Sequence, residues 1–381
     1  MEEKSLILCY DFYMFTLIAT TTFGLEAVAK REIENLGYKI TDSRDGRLSY
    51  EGDARALVRS NLWLRTADRV YVKIGEFKAF TFEELFDKTA ALPWKDWLDD
   101  DSNFTVVGTS MKSKLHSVPA CQSIVEKAIV KALGGGWLSK KGPKYTVRFM
   151  FQKDDCTLMI DTSGAGLHKR GYRVLDVAAP IKETLASAMV QLSFFKPGRL
   201  MVDPFCGSGT IAIEAAMLAK NIAPGLNRDF DSRHWKNIPE SIWKEEKEAA
   251  FKAIDNDAKF VIKASDIDRK AVKAAKENAI EAGVDDVIEF SVLDAKLLTA
   301  DCERGIIITN PPYGIRIGEQ KEIFQLYHSL RDYIKLNPSW SLFLITADKN
   351  FEREFGKSAD RRRKLYNGRI ETCYYQFHGE K

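Results

Sequence analysis

The chain reads as an α/β protein in two parts: an N-terminal α+β half and a C-terminal doubly wound sheet, parallel except for a final antiparallel hairpin strand. Three observations carry this. From Ile181 onward short apolar strands alternate with helices, the pattern of a parallel sheet flanked by helices. A glycine loop, Asp203-Pro204-Phe205-Cys206-Gly207-Ser208-Gly209-Thr210, stands between a strand and a helix. Before residue 163, strands and helices group instead as two small α+β units. Composition agrees: 381 residues, 45% hydrophobic and 29% charged, give an ordinary globular balance. No apolar run is long enough to span a membrane. Glu2, Glu3, Lys4 and Asp11 interrupt the first nineteen residues, so these read as an added strand or an over-extended start rather than a leader. Six cysteines without CxxC and five scattered histidines form neither a disulfide framework nor a metal-ligand set. A soluble protein of the reducing cytoplasm is expected.

The elements follow in order. Phe15–Thr20 is strand-like, and Leu25, Val28, Ala29, Ile33 and Leu36 then form one helical stripe closed by Gly37. Strands are predicted at 47–50 and 70–77 around a helix at 53–62. A second unit opens near Thr81, with helices at 81–90 and 119–133 and strands at 104–110, 145–151 and 156–162. Gly134-Gly135-Gly136 stops its second helix. Residues 163–180, rich in glycine and basic side chains, read as a linker or hinge. Beyond it, strands fall at 200–203, 260–264, 287–292, 305–309 and 341–346, with helices at 211–219, 269–282 and 323–335. Trp235, Trp243 and Lys244 belong to a polar helical insertion, read as a lid or plain surface. Lys364–Tyr366 and Ile370–Phe377 pair across a turn at Asn367-Gly368.

The glycine loop carries the sharpest chemistry. Gly207 and Gly209 let backbone approach a ligand, and the helix that follows offers free N–H groups. The third glycine of a dinucleotide fingerprint is missing, as is the lysine of a phosphate-binding loop. What remains suits a ligand without phosphate whose cationic end meets Asp203, and S-adenosylmethionine fits that description. Two further strand ends are acidic. Asp266, beside Ile267, is placed to accept ribose hydroxyls, with Asp268 left to cap the next helix. Asp294, beside Ala295, can accept from an adenine amine. Asn310-Pro311-Pro312-Tyr313-Gly314 ends the next strand. Its prolines stiffen the loop, and the Asn310 amide oxygen with a proline carbonyl can accept both protons of an exocyclic amine. Tyr313 offers a ring for a base to stack on. Cys206 is explained by its size alone.

These motifs resemble the THUMP-domain class of Rossmann-fold RNA methyltransferases. More closely, they resemble bacterial proteins related to the guanine-N2 methyltransferase half of the 23S rRNA enzyme, and the family named for N6-adenine-specific methylation. Besides the Asp203 and Asn310 loops, the matching stretches are Gly24-Leu25-Glu26, Gly166 to Arg173, Asn221 to Arg228, and Lys364 to Glu371. The likeness runs from about residue 16 to the C-terminus. It implies an N-terminal extension with a ferredoxin-like piece at 1–68, a THUMP RNA-binding domain at 69–165, a hinge at 166–180 and a Rossmann-like methyltransferase domain at 181–381. It assigns Glu183 or Thr184 to a segment closing over the cofactor. Asp203, Pro204, Phe205, Cys206, Gly207, Gly209 and Thr210 would hold the methionine end of S-adenosylmethionine. Asp266 and Ile267 would face the ribose, Asp294 and Ala295 the adenine. Asn310, Pro311, Pro312 and Tyr313 would receive the target base.

Net charge is only +3, but Thr105–Arg173 holds twelve basic residues against four acidic ones. On charge alone this stretch is either a phosphate-attracting surface or a solubilising one; the resemblance favours RNA. Lys112, Lys114, Lys140, Lys141, Lys144, Lys169, Arg170 and Arg173 are the candidate contacts, and Arg361-Arg362-Arg363-Lys364 is either a further loop touching phosphate or an exposed solvated turn. The expected reaction is methylation of guanine N2 in ribosomal RNA, with tRNA the alternative RNA partner. N6-adenine methylation of RNA or DNA is the rival within the enzyme class, and a non-catalytic RNA-binding assembly factor the rival outside it.

Overall fold

The computed structural model describes residues 14–136, 139–175, 180–300, 302–313 and 320–380, which form two seven-stranded sheets. The expectation for the first residues falls on positions 1–13, outside the described residues. Among the described residues no helix is long and apolar enough to cross a membrane.

The N-terminal sheet contains β1 (Phe15–Thr21), β2 (Ile40–Arg44), β3 (Arg47–Gly52), β4 (Ala67–Lys78), β5 (Asn103–Met111), β6 (Lys144–Gln152) and β7 (Asp155–Asp161). Their order is β2-β3-β1-β4-β7-β6-β5, with only β5 and β6 parallel. β4 pairs β1 along one edge and β7 along the other, so both α+β units share one sheet. Burial alternates along β6, as a strand with one well-covered face requires. Its buried Val147, Phe149 and Phe151 join a core with residues of α1 (Glu26–Asn35), α2 (Ala54–Trp63), α3 (Phe82–Ala90) and α4 (Val118–Leu133). Caps set the helix starts: Asp53 accepts from the Ala56 N–H at 2.8 Å and Thr81 from the Glu84 N–H at 3.2 Å. Sequence reading missed β2, a polar edge strand whose only apolar residue is Ile40.

The C-terminal sheet contains β8 (Leu200–Asp203), β9 (Ile262–Asp266), β10 (Ile288–Val292), β11 (Gly305–Thr309), β12 (Ser341–Thr346), β13 (Arg361–Asn367) and β14 (Ile370–Phe377). The order is β10-β9-β8-β11-β12-β14-β13, parallel up to β12 and antiparallel beyond. Its helices are α5 (Glu183–Leu192), α6 (Thr210–Ala219), α7 (Glu240–Lys252), α8 (Arg269–Glu281), α9 (Gln320–Leu336) and α10 (Phe351–Phe355). β11 and β12 are buried at every position, which accounts for their nearly unbroken apolar sequences. The chain runs outward from β8 to β10 and then returns to β11 on the other side of β8. Strand order therefore reverses between β8 and β11, and a crevice opens at their carboxyl ends.

Three expectations need correction. Arg361–Lys364 is not a loop: it forms most of edge strand β13, where Arg362 pairs with Glu352 at 2.9 Å and Lys364 with Glu371 at 2.7 Å. The insertion is neither lid nor plain surface. Trp235 stacks on Tyr145 with ring centroids 4.7 Å apart, and Phe230 on Trp243 at 5.0 Å. Trp235, Ile238, Ile242 and Trp243 are buried in the core of the N-terminal half, while Arg55 and Arg59 hold Glu246 at 2.6 and 2.8 Å. The insertion is a strut from one half into the other.

Third, the described part of the segment after β7 is packed rather than free. Leu167 is buried and its N–H donates to the Asp68 carbonyl at 2.8 Å. Arg170, expected on the RNA surface, is only 3% exposed. It pairs with the buried Glu214 of α6 and donates to the carbonyls of Leu167 and Arg65. Tyr172 also donates to Glu214, at 3.2 Å. Removing one partner of such a pair leaves the other charge buried and unmatched. Arg170→Met is therefore expected to cost about 3–5 kcal/mol, and Lys169→Ala, at its exposed neighbour, less than about 0.5. Urea unfolding of both variants measures this; equal losses would refute the structural role of Arg170.

Candidate active site

A cavity of about 800 Å³ occupies the crevice at the ends of β8, β9 and β11. From β8 it is lined by Asp203, Pro204, Phe205, Cys206, Gly207 and Thr210. The ends of β9 and β10 contribute Asp266, Ile267, Asp294 and Ala295, and the end of β11 contributes Asn310 through Tyr313. Most residues expected for the cofactor, and all those expected for the target base, thus share one cavity.

The loop is held by its own backbone. The Cys206 N–H donates to the Ser265 carbonyl at 2.9 Å, and the Gly207 N–H to Asp266 Oδ2 at 3.0 Å. Gly207 and Gly209 have φ of +53° and +84°, which side chains resist. Gly209 does not line the cavity, correcting the expectation that both glycines face a ligand. A Cβ there would stand 3.0 Å from that of Ala275, so Gly209 lets α8 pack closely. The Cys206 thiol is buried and its pKa is pushed well up, which removes it from redox or nucleophilic work.

Asp203 is 1% exposed. Its Oδ1 accepts from Thr309 Oγ1 at 2.7 Å and the Phe205 N–H at 3.3 Å, while Oδ2 is buried without a partner. Burial pushes its carboxyl up to about 7. A bare buried carboxylate oxygen on a cavity wall calls for a cationic group, and the α-ammonium of S-adenosylmethionine fits it. Asp266 is fixed by the N–H groups of Gly207 and Asp268, and Asp294 by that of Lys296 at 3.0 Å. As expected, Asp268 caps α8, accepting from the Lys270 N–H at 2.8 Å. Ile267, 71% exposed, offers apolar surface beside Asp266.

Thr309 links the two ends of the site, since the residue that holds Asp203 immediately precedes Asn310. Asn310 Oδ1 accepts from the Tyr313 hydroxyl at 2.6 Å. Burial pushes that hydroxyl up to about 12, so Tyr313 stays a donor and is no base.

Other residues fall elsewhere or were missed. Glu183 and Thr184 stand buried outside the lining, Glu183 paired with Arg173 at 2.9 Å. Arg173, expected on the RNA surface, is tied to the cavity wall instead, donating to Ser208 and Thr210. Lys112, Lys114, Lys140, Lys141, Lys144 and Lys169 are exposed, and Lys114 lies over the Phe80 ring at 5.0 Å. Sequence reading gave no role to Glu322, Gln325 and Leu326, which share one face of α9 and line the cavity. Asn367 and Ile370 also line it, from a hairpin turn visible in the sequence but not traceable to this crevice without the strand order.

Comparison with known proteins identifies the family. Residues 16–71 match the RlmL ferredoxin-like domain, 79–161 the THUMP domain and 170–376 the family described as RMKL-like, methyltransferase domain. The last match spans more than half of the chain, which belongs to this methyltransferase family. The protein named "Putative RNA methyltransferase YpsC" from Bacillus subtilis (strain 168) is 47% identical over 369 residues, covering 95% of this chain and 96% of that one. A solved structure titled "a predicted N6-adenine-specific DNA methylase" from Listeria monocytogenes is 44% identical, with a TM-score of 0.93 and 98% of each chain covered. SMU.472, titled "a putative methyltransferase complexed with SAH", is 40% identical, with a TM-score of 0.92 and 97% and 99% covered.

The raised Asp203 pKa gives a pH test. The folded protein holds this proton more tightly than the unfolded chain, whose carboxyl titrates near 3.8. Its contribution to stability is thus full below about pH 4 and is lost as pH rises through about 7. A cationic ligand needs the ionised form. Affinity for S-adenosylhomocysteine is expected to rise about tenfold per pH unit from 5 to 7 and then level off. Asp203→Asn should bind weakly at every pH; a sloping profile in that variant, measured by calorimetry, would refute the assignment.

Proposed function

We propose that this protein transfers a methyl group from S-adenosylmethionine to an exocyclic base amine in RNA, with guanine N2 of ribosomal RNA as the target. The carrying observation is the single cavity in which Asp203 and Asn310–Tyr313 meet, joined by the 2.7 Å Thr309 hydrogen bond. Bound S-adenosylmethionine supplies an electrophilic methyl on a sulfonium. Asp203 holds the ammonium, Asp266 accepts the ribose hydroxyls and Asp294 the adenine amine. Asn310 Oδ1 and the Pro311 carbonyl accept the protons of the target amine and turn its lone pair toward the methyl. Tyr313 fixes Asn310 by its hydroxyl and offers its ring for stacking. No strong base is required, because the alkylated nitrogen loses its proton readily, so catalysis is mainly positioning.

RNA as substrate is supported by the THUMP match, by the name of the Bacillus relative and by the exposed lysines of the N-terminal half. The target base has to leave its stack to enter the cavity, so single-stranded or flippable sites are expected.

Nucleoside mass spectrometry tests the reading: protein and S-adenosylmethionine are incubated with total RNA lacking modifications and with unmethylated DNA. N2-methylguanosine in the RNA is expected. N6-methyladenine in either pool would overturn the base, and no product despite cofactor binding would favour the assembly-factor reading. Asn310→Ala should lower turnover about 100-fold or more, with S-adenosylhomocysteine affinity within about twofold; unchanged turnover would remove the amine-acceptor role. Charge reversal at Lys112, Lys114, Lys140 and Lys141 should weaken RNA binding and flatten its dependence on salt, and an unaltered slope would return these lysines to plain surface.

A further inference from the structure

The cavity groups assigned so far accept hydrogen bonds or offer apolar surface. Asp203, Asp266 and Asp294 are carboxylates, and Asn310 and Pro311 present carbonyl oxygens. The amino-acid end of S-adenosylmethionine, however, is a zwitterion. Its carboxylate needs donors placed away from those three carboxylates.

Arg173 stands behind the part of the wall that can supply them. Its side chain is 15% exposed, and its Nε donates to Glu183 at 2.9 Å. Nη1 donates to Ser208 Oγ at 3.3 Å, and Nη2 to Thr210 Oγ1 and the Ile181 carbonyl, both at 3.1 Å. Ser208, Thr210 and Ile181 line the cavity, whereas Arg173 and Glu183 do not. A guanidinium has donors only, so both hydroxyls accept from it and each keeps its own proton to give elsewhere. Among the described residues, neither hydroxyl has another partner. Thr210 also opens α6, where first-turn N–H groups are free. In the same cavity the bare Oδ2 of Asp203 already points to a cationic partner.

We propose that Arg173 is a positioning residue for the cofactor's α-carboxylate, holding Ser208 and Thr210 so that their hydroxyl protons face it while Asp203 takes the α-ammonium. This rests on S-adenosylmethionine being the cofactor. Glu183 fixes the guanidinium from the far side. Arg173 belongs to the connector, so the segment that leaves the N-terminal sheet also completes the cofactor end of the site.

The test compares S-adenosylhomocysteine, its decarboxylated analogue and 5′-methylthioadenosine by calorimetry on the full chain. The wild type is expected to prefer S-adenosylhomocysteine over the decarboxylated analogue. Arg173→Gln should weaken S-adenosylhomocysteine about 10–100-fold, the scale of a lost charge-assisted contact, and leave the other two within about twofold. Ser208→Ala with Thr210→Val, which keeps the Arg173–Glu183 pair, should lose the same preference. Equal weakening of all three ligands by Arg173→Gln would reduce Arg173 to a loop support and overturn the proposal. So would unchanged discrimination in the hydroxyl variant, or a wild type that binds 5′-methylthioadenosine but shows no carboxylate preference. A wild type that binds none of the three would overturn the cofactor reading and this proposal together.

Discussion

The ion pair between Arg170 and Glu214 is the constraint from which the rest of the structure can be read. Both side chains are buried, and the guanidinium spends its remaining donors on carbonyls of the connector and of the N-terminal half. Glu214 lies on α6, the helix that the glycine loop opens into. One pair therefore joins the N-terminal half, the connector and the cofactor loop. Such a pair contributes little net stability against an apolar replacement of the same shape, but breaking it is expensive. That asymmetry suits a junction that must hold a single geometry.

Other close approaches reinforce the junction. Gly225 donates to the Leu62 carbonyl at 2.9 Å, and a Cβ on it would stand 2.7 Å from the Asn61 carbonyl oxygen. A Cβ on Gly24 would meet the Lys364 carbonyl oxygen at 2.7 Å, and Arg363 donates to the Gly24 carbonyl at 3.2 Å. Arg228 donates to Gly166 at 2.9 Å. The stretches around Gly24, Gly166, Asn221 and Lys364, which carry much of the family resemblance, are thus seams between the halves. With the Trp235 strut they make the N-terminal half a fixed arm of the catalytic one. In the proposed reaction, a base delivered by RNA bound to that arm would arrive with its orientation largely set, which is where a positioning mechanism gains its rate.

How much of this the sequence disclosed depended on whether a signal was local. The glycine loop, the acidic strand ends and the Asn310 motif are runs of neighbouring residues, and each lines the cavity at the end of its own strand. The apolar runs of β11 and β12 were equally plain, because strands buried on both faces need them. What failed was long-range. Arg170 and Arg173 look the same as Lys169 in a count of charges, yet Glu214 and Glu183, 44 and 10 residues away, pull them inside. Trp235, Ile238, Ile242 and Trp243 follow helical spacing, but their partner face lies in the other half of the chain. β2 left no trace because an exposed edge strand needs no apolar face.

The cavity divides its polarity according to the strand order. β8 and β11 are neighbours only because the chain reverses between them, and that adjacency lets Thr309 hold the Asp203 carboxylate while Asn310, next in the chain, lines the same cavity. Groups that accept protons therefore gather on both sides of the crevice, at the ends of β8 to β11. A zwitterionic cofactor cannot be held by acceptors alone, and the proposed donors, the hydroxyls of Ser208 and Thr210, are held in turn by Arg173 of the connector. In the orientation we propose, the ammonium faces Asp203 and the carboxylate faces the start of α6. Between the two sheets, the connector thus has two linked duties: Arg170 fixes where the arm stands, and three residues later Arg173 fixes which way the cofactor points.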